Sequence, residues 1–383
     1  MAEEKRREEQ EFSFVKEKIK KQPFYQNKTL RRAALQLIFS VVCGAVACFV
    51  FVIVHPWMER TFGEHADLYT KLKEVADTAG KSLVTVTASS SGTDWFNETY
   101  ESRRELSGLL VGNNGVELLI LAPYSQVEGA DTLQAAFADG STLAAVLKNY
   151  DSVTDLAVLS VNLADVEEDT LESIRMAELG SSKSLKAGEP VIAVGSPAGI
   201  AGSVKYGNLV ASGYKVSVID GEYNLLITDM ERSEKGSGVL LNLSGQVIGL
   251  LEDSYLNSSN EGALTAYAIS DMKDIIEHLS NSQDLVYMGI HGTDVTEEIS
   301  EAQGIPAGVY VTGMEADSPA MNSGIQAGDI ITEINGKTIT SLSQIREMLL
   351  KFSREQVIQV VVMRQGKDGY KEIECSVTLN VLQ

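Results

Sequence analysis

Cysteine is scarce in this 383-residue chain: three residues in all. Cys43 and Cys48 lie inside an apolar run and Cys375 stands alone in a strand-like pattern. A disulfide framework is therefore excluded, and stability must come from packed cores. Histidine is nearly as rare. The four are His55, His65, His278 and His291, so residues 66–277 hold no imidazole to accept a proton near neutral pH. A net positive charge is confined to the start of the chain. Residues 1–32 carry ten Lys/Arg against six Asp/Glu, and with −21 overall the remaining residues carry −25. An acidic body of this kind lacks the basic patches that phosphate contacts need, which argues against a nucleic-acid partner.

One long apolar run is present. Residues 33–54 (AALQLIFSVVCGAVACFVFVIV) form 22 consecutive positions without Asp, Glu, Lys or Arg. As a helix they span roughly 33 Å, enough for a bilayer core of about 30 Å. The run is too long, and its basic flank too extended, for a cleaved signal peptide. Lys28, Arg31 and Arg32 precede it, whereas Glu59, Glu64 and Asp67 follow it. The positive-inside rule then predicts a cytoplasmic tail over 1–32, a transmembrane helix over 33–54, a linker over 55–66, and an extracytoplasmic body in a single-pass cell-membrane protein.

The body has length for two modules. Short strands separated by turn residues are predicted at 82–88, 105–111, 116–121, 132–138, 142–150, 156–161, 190–194, 202–212, 223–229, 238–242 and 246–251, with a loop over 89–104. So many strands with so little helix indicate β-barrels or a sandwich rather than a parallel sheet. A helix over Ser270 to His278 closes this first domain, 67–280. After the polar linker Ser280 to Asp284, strands at 287–290, 308–314, 329–336 and 357–364 and a helix face through Leu342, Ile345 and Leu349 make a second, mixed module over 285–383.

The stretch Thr228 to Leu250 stands out. It holds a small-residue turn, Lys235-Gly236-Ser237-Gly238, before two apolar runs hinged at Ser244-Gly245. A serine among glycines at a tight turn can present a nucleophile, and the same pattern also suits a plain hairpin.

Several segments, in order, resemble the HtrA/Deg family of trypsin-fold serine proteases followed by PDZ domains. They are VEGADTLQAAFADGS (127–141), TDLAVLSV (154–161), GSPAGIAGSVKYGNLVAS (195–212), LNLSGQVIGL (241–250) and AYAIS (266–270), then YMGI (287–290) and GVYVTGMEADSPAMNSGIQAGDIITEINGKTI (308–339). The resemblance covers residue 67 to about 380. It implies a mainly β fold, a trypsin-like double β-barrel plus a PDZ (α+β) domain, preceded by the one transmembrane helix. It also implies no cofactor and no metal.

Carried over residue by residue, the resemblance puts Asp155 at the triad aspartate and Ser125 where the histidine belongs. A serine hydroxyl is too weak a base for that task. Counting forward from Thr228-Asp229 places Ser237 at the nucleophile, as a remnant, whereas counting back from Asn242-Leu243 places Gly236 there. In either register the glycine that opens the oxyanion turn is replaced, by Lys235 or by Glu234. The expected protein is thus an HtrA-like pseudoprotease in envelope quality control. Its PDZ loop Tyr287, Met288, Gly289 and Ile290 would capture peptide or protein C-termini, or unfolded chains, by their carboxylates. The alternative is an active serine endopeptidase using Ser237 with an unconventional base. A third reading is an acidic subunit, homo- or hetero-oligomeric with an active homologue.

Overall fold

A computed structural model describes residues 28–58, 64–93, 99–252 and 262–382. The basic tail before residue 28 and the linker segment at 59–63 lie outside the described residues. Helix α1 (Lys28–Met58) contains Ala34–Val54, which is long and apolar enough to cross a membrane by length and composition; its side chains are wholly unburied. It fits a membrane anchor or a signal sequence. By contact, residues 1–71 form a unit separate from 72–383. Helix α2 (Glu64–Gly80) leads into the body and buries Leu72 and Ala76 there.

Strands β1 (Leu83–Thr93), β2 (Thr99–Asn113) and β3 (Glu117–Pro123) run up to the one-turn helix α3 (Tyr124–Val127). Strands β4 (Thr132–Ala136), β5 (Thr142–Asp151) and β6 (Leu156–Asn162) complete a closed antiparallel barrel in the order β1-β2-β3-β6-β5-β4. A short helix α4 (Glu168–Ser173) bridges to the second barrel. That barrel comprises β7 (Pro190–Ser196), β8 (Ser203–Val218), β9 (Gly221–Glu231), β10 (Ser237–Leu241), β11 (Val247–Glu252) and β12 (Ala263–Ala268), closed as β10-β11-β12-β9-β8-β7. Closure leaves neither barrel an unpaired edge.

Two expectations need correction. The 89–104 stretch is not a loop: β1 and β2 pair from Leu83↔Leu109 out to Thr93↔Thr99, a long hairpin whose tip, 94–98, is outside the described residues. Strand β12 (ALTAYA) escaped prediction because it is buried on both faces, so no alternation marks it, and alanine favours strands poorly.

Each barrel has its own core. Leu110, Leu118, Ile120 and Leu159 fill the first, and Leu209, Leu226, Leu240 and Ile248 the second. A third apolar cluster is the seam between them. Leu109, Leu121 and Val158 of the first barrel there meet Ile192, Val239 and Leu250 of the second, under helix α5 (Ile269–Ser280).

The C-terminal module has a separate core that includes Val309, Ile331, Ile345 and Val360. It contains β13 (Val286–Tyr287), β14 (Ile290–Val295), helix α6 (Glu297–Gln303), β15 (Gly308–Met314), helix α7 (Pro319–Asn322), β16 (Ile330–Ile334), β17 (Lys337–Thr338), helix α8 (Leu342–Leu349), β18 (Val357–Gly366), β19 (Gly369–Thr378) and β20 (Asn380–Val381). Its main sheet runs β14-β15-β16-β18-β19, and β13 pairs with β20. The edge strand β19 was signalled only by the strand-like pattern around Cys375, because YKEIE before it is too charged to read as a strand; solvent on one side tolerates those charges. Cys375 is buried within it, and all three cysteines are free.

One backbone constraint sets the geometry of the seam. Gly238 (φ +128°) faces Gly195 (φ +114°) across the β10–β7 pair, and a Cβ on Gly238 would strike the Val194 carbonyl oxygen. Gly238→Ala is expected to cost about 2–4 kcal/mol through that clash and the positive φ, seen as a lowered unfolding midpoint in denaturant.

Candidate functional site

A cleft of about 560 Å³ opens at the seam. Helix α3 and the β5–β6 turn wall one side, and the loop between β9 and β10 walls the other. Ser125, Asp155 and Gly236 all line it.

Ser125 and Asp155 are brought together as a bonded pair. Tyr124 N–H donates to the Asp155 carbonyl at 2.9 Å, anchoring the first residue of α3 on the β5–β6 turn. Ser125 N–H then donates to Asp155 Oδ1 at 2.5 Å, and Ser125 Oγ donates to Asp155 Oδ2 at 2.8 Å. Asp155 sits at φ +55°, a left-handed conformation that Asp tolerates better than most residues. Arg104 Nη1 donates to the Ser125 carbonyl at 3.2 Å and Arg104 Nη2 to the Glu128 carbonyl at 3.0 Å, clamping α3 from β2. In a serine-protease triad an aspartate carboxylate accepts the N–H of the base that it orients. Here the partner is a hydroxyl.

Among the described residues, the tyrosine and histidines nearest this pair are engaged elsewhere. Tyr124 stacks on Tyr150 with ring centroids 4.1 Å apart and donates to Glu128 Oε1 at 3.2 Å. Burial, reinforced by the Tyr150 hydroxyl and Glu128, pushes its hydroxyl up to about 12, so it stays protonated at neutral pH. His278 lies between the Asp274 and Leu350 carbonyls, at 2.7 and 2.8 Å, and His291 pairs with Glu315 at 2.6 Å. Neither lines the cleft. Lys235 and Glu234 are both exposed on its rim. Among the described residues no cluster of His, Cys, Asp and Glu could hold a metal ion.

Ser237 is not brought into the cleft. It is the first residue of β10, paired with Ser196 and only 1% exposed. Its Oγ accepts the Ser107 N–H of β2 at 3.0 Å, a hydrogen bond across the seam. Gly236 lines the cleft instead, which is the arrangement that counting back from Asn242-Leu243 predicts. The Gly236 N–H, which could otherwise face an oxyanion, donates to the Ser233 carbonyl at 2.8 Å. A Cβ at 236 would lie 3.0 Å from that same oxygen.

The second predicted site also has a definite geometry. Gly289 takes φ +85°, where a Cβ would collide with the Ser318 side chain. The Met288 and Gly289 carbonyls are held by Ala320 N–H and Glu315 N–H, each at 2.9 Å. With the carbonyls tied back, the N–H groups of Met288, Gly289 and Ile290 converge on one point, an anion nest. That point holds the carboxylate of Asp220, from the tip of the β8–β9 hairpin. Sequence reasoning missed Asp220 altogether. Its only signal was an Asp-Gly turn, which also marks any ordinary hairpin.

Two closed barrels with a cleft at their seam, followed by a PDZ module, define a trypsin-fold protein with a PDZ domain. A trypsin-like peptidase domain is matched over residues 106–250 and a PDZ domain over residues 310–362. Serine protease Do-like HtrA of Lactobacillus helveticus is 30% identical over 299 residues, covering 73% of this chain and 70% of that one. Serine protease Do-like HtrB of Bacillus subtilis is 32% identical over 284 residues, 68% of this chain and 60% of the relative. The chain belongs to the HtrA family. The HtrA-type protease AlgW, solved with a decapeptide, shares the fold with a TM-score of 0.60 at 20% identity, over 82% of this chain and 99% of AlgW.

Removing the seam hydrogen bond has a predictable cost. Ser237→Ala leaves the buried Ser107 N–H without its acceptor and is expected to destabilise the fold by about 1–3 kcal/mol, measured by denaturant unfolding. The cleft itself should be unchanged, as read by amide exchange over 122–128 and 232–236.

Proposed function

We propose that this chain is a membrane-anchored HtrA-family pseudoprotease, a binding or regulatory scaffold in envelope protein quality control. Its basic tail would lie in the cytoplasm and its barrels and PDZ module outside. The observation that carries the reading is the pairing of Asp155 with Ser125 rather than with an imidazole. Three further features support it. Ser237 is committed to the barrel seam, the Gly236 N–H is turned onto Ser233, and no described histidine reaches the cleft. Loss of a catalytic triad typically costs about 10⁶ in kcat, which leaves too little activity to process proteins. A Ser-Lys dyad needs a desolvated lysine, and exposed Lys235 beside Glu234 offers the opposite environment.

In this reading the function rests on binding. The PDZ module supplies a carboxylate nest suited to peptide C-termini, and a cleft that still has room for an extended chain provides a second surface for unfolded segments. Charges of both signs line that cleft, Arg103, Arg104 and Arg232 against Glu105, Glu234 and Glu252, so it has no single-sign selectivity.

The purified full-length protein in detergent is expected to leave unfolded casein intact and to take up no fluorophosphonate label. Ser125→His alone should stay inactive, because Ser237 is buried in the seam and Gly236, which lines the cleft, has no hydroxyl. Casein cleavage that disappears in Ser237→Ala, with the label mapped to Ser237, would overturn the proposal in favour of an active endopeptidase.

A further inference from the structure

The PDZ carboxylate nest is filled by the chain itself. Asp220 is fully buried at φ +56° in the two-residue turn between β8 and β9, where Val218 pairs with Gly221. Its Oδ2 accepts Met288 N–H at 2.6 Å and Gly289 N–H at 2.8 Å. Its Oδ1 accepts Gly289 N–H at 3.0 Å and Ile290 N–H at 2.8 Å. The Asp220 backbone N–H donates in turn to the Ile290 carbonyl at 2.9 Å. Two residues further along β14, the Gly292 carbonyl accepts Ser217 Oγ at 3.2 Å.

That set of contacts is what a peptide ending in a free carboxylate would make. A terminal residue offers one carboxylate to the nest and one N–H to the first carbonyl of the strand, with the chain before it running antiparallel along that strand. Asp220 reproduces both, its side-chain carboxylate standing for the terminal one. Residues 220 and 217 meet 290 and 292 in the antiparallel sense.

The hairpin is also locked from the helix side of the groove. Gly221 lies against Arg346 of α8, whose buried guanidinium sits 3.6 Å from Asp151 of the first barrel. Burial pushes the Asp220 carboxyl up from the usual carboxylate range, and the three N–H groups and Arg346 pull it back.

The geometry points to Asp220 as the resident ligand of the PDZ site: an internal β-hairpin tip that mimics a C-terminus, which an external peptide carboxylate must displace in order to bind. This rests on the reading of the PDZ module as a peptide-binding domain. The consequence is coupling. The hairpin belongs to the second barrel, and its β9 strand leads directly into the loop that walls the cleft. A peptide that expels Asp220 therefore detaches the PDZ module from the barrel at this contact and frees the end of β9.

The test uses the full-length protein in detergent, Asp220→Asn, and a fluorescein-labelled pool of decapeptides randomised at the last three positions with free C-terminal carboxylates. The expected result is twofold. Amide hydrogens over 288–290 exchange faster in Asp220→Asn than in the wild type, and the pool binds the variant about tenfold or more tightly, as removal of a competing internal state requires. The same pool with amidated C-termini should bind neither protein; equal binding of amidated and free pools would overturn the assignment. Equal exchange in the two proteins would overturn the internal contact itself. Equal pool affinity for the two would overturn displacement while leaving peptide binding intact. Faster exchange with no pool binding to either protein would overturn displacement by removing the peptide-binding reading. Should the amide variant not fold, Asp220→Glu, whose longer side chain cannot hold the same contacts, is measured in its place against the same outcomes.

Discussion

The burial of two apolar barrel faces against each other is the constraint on which the rest depends. Leu109, Leu121 and Val158 can leave water only by meeting Ile192, Val239 and Leu250, and α5 closes the cluster from the side. Closed barrels satisfy their own backbone groups, so only side chains and a few cross-seam hydrogen bonds fix how the two units sit. The seam ends in a cleft because the turns that close each barrel are polar and cannot follow the apolar faces inward. Whatever chemistry or binding the cleft performs is set by which side chains those turns present.

In this chain the turns present Ser125, Asp155 and Gly236. Asp155 keeps a position and partners suited to orienting a base, yet the group it orients is the Ser125 hydroxyl. The serine of the KGSG turn lies in the seam, where it satisfies Ser107 N–H. A nucleophile needs a free hydroxyl at the surface and a proton acceptor beside it, whereas Ser237 is buried against Ser107 and Asp155 is bonded to Ser125. What the architecture retains is a stable scaffold with an open groove and a PDZ module docked onto it through Asp220 and Arg346. Buried charges at that docking surface are tolerated only because Asp220 finds three N–H donors.

Local order in the chain made much of this legible. Alternating apolar residues with turn signals indicated the barrel strands, and the 22-residue uncharged run indicated α1. The missing imidazole needed no structure at all, since residues 66–277 contain no histidine. Asp155 and Ser125 were singled out through the HtrA resemblance, and the fold joins them by hydrogen bonds. Strands β15, β16 and β18 and helix α8 of the PDZ module followed from the same periodicity. Boundaries failed where pattern fails: β12 is buried on both faces, β19 is an edge of charged residues, and the β1–β2 hairpin extends through serines and glycine.

What the sequence by itself determined is therefore most of the strands and helices and the absence of histidine from residues 66–277, properties carried by residue type and local spacing. Tertiary structure alone decided three things. It buried Ser237 opposite Ser196 of β7 and left Gly236 lining the cleft. It turned the Gly236 N–H away from the cleft. And it carried Asp220 across to a loop 68 to 70 residues later in the chain, a contact that no local pattern encodes. Each depends on groups far apart in sequence competing for one hydrogen-bonding position, and only the folded chain brings the competitors together.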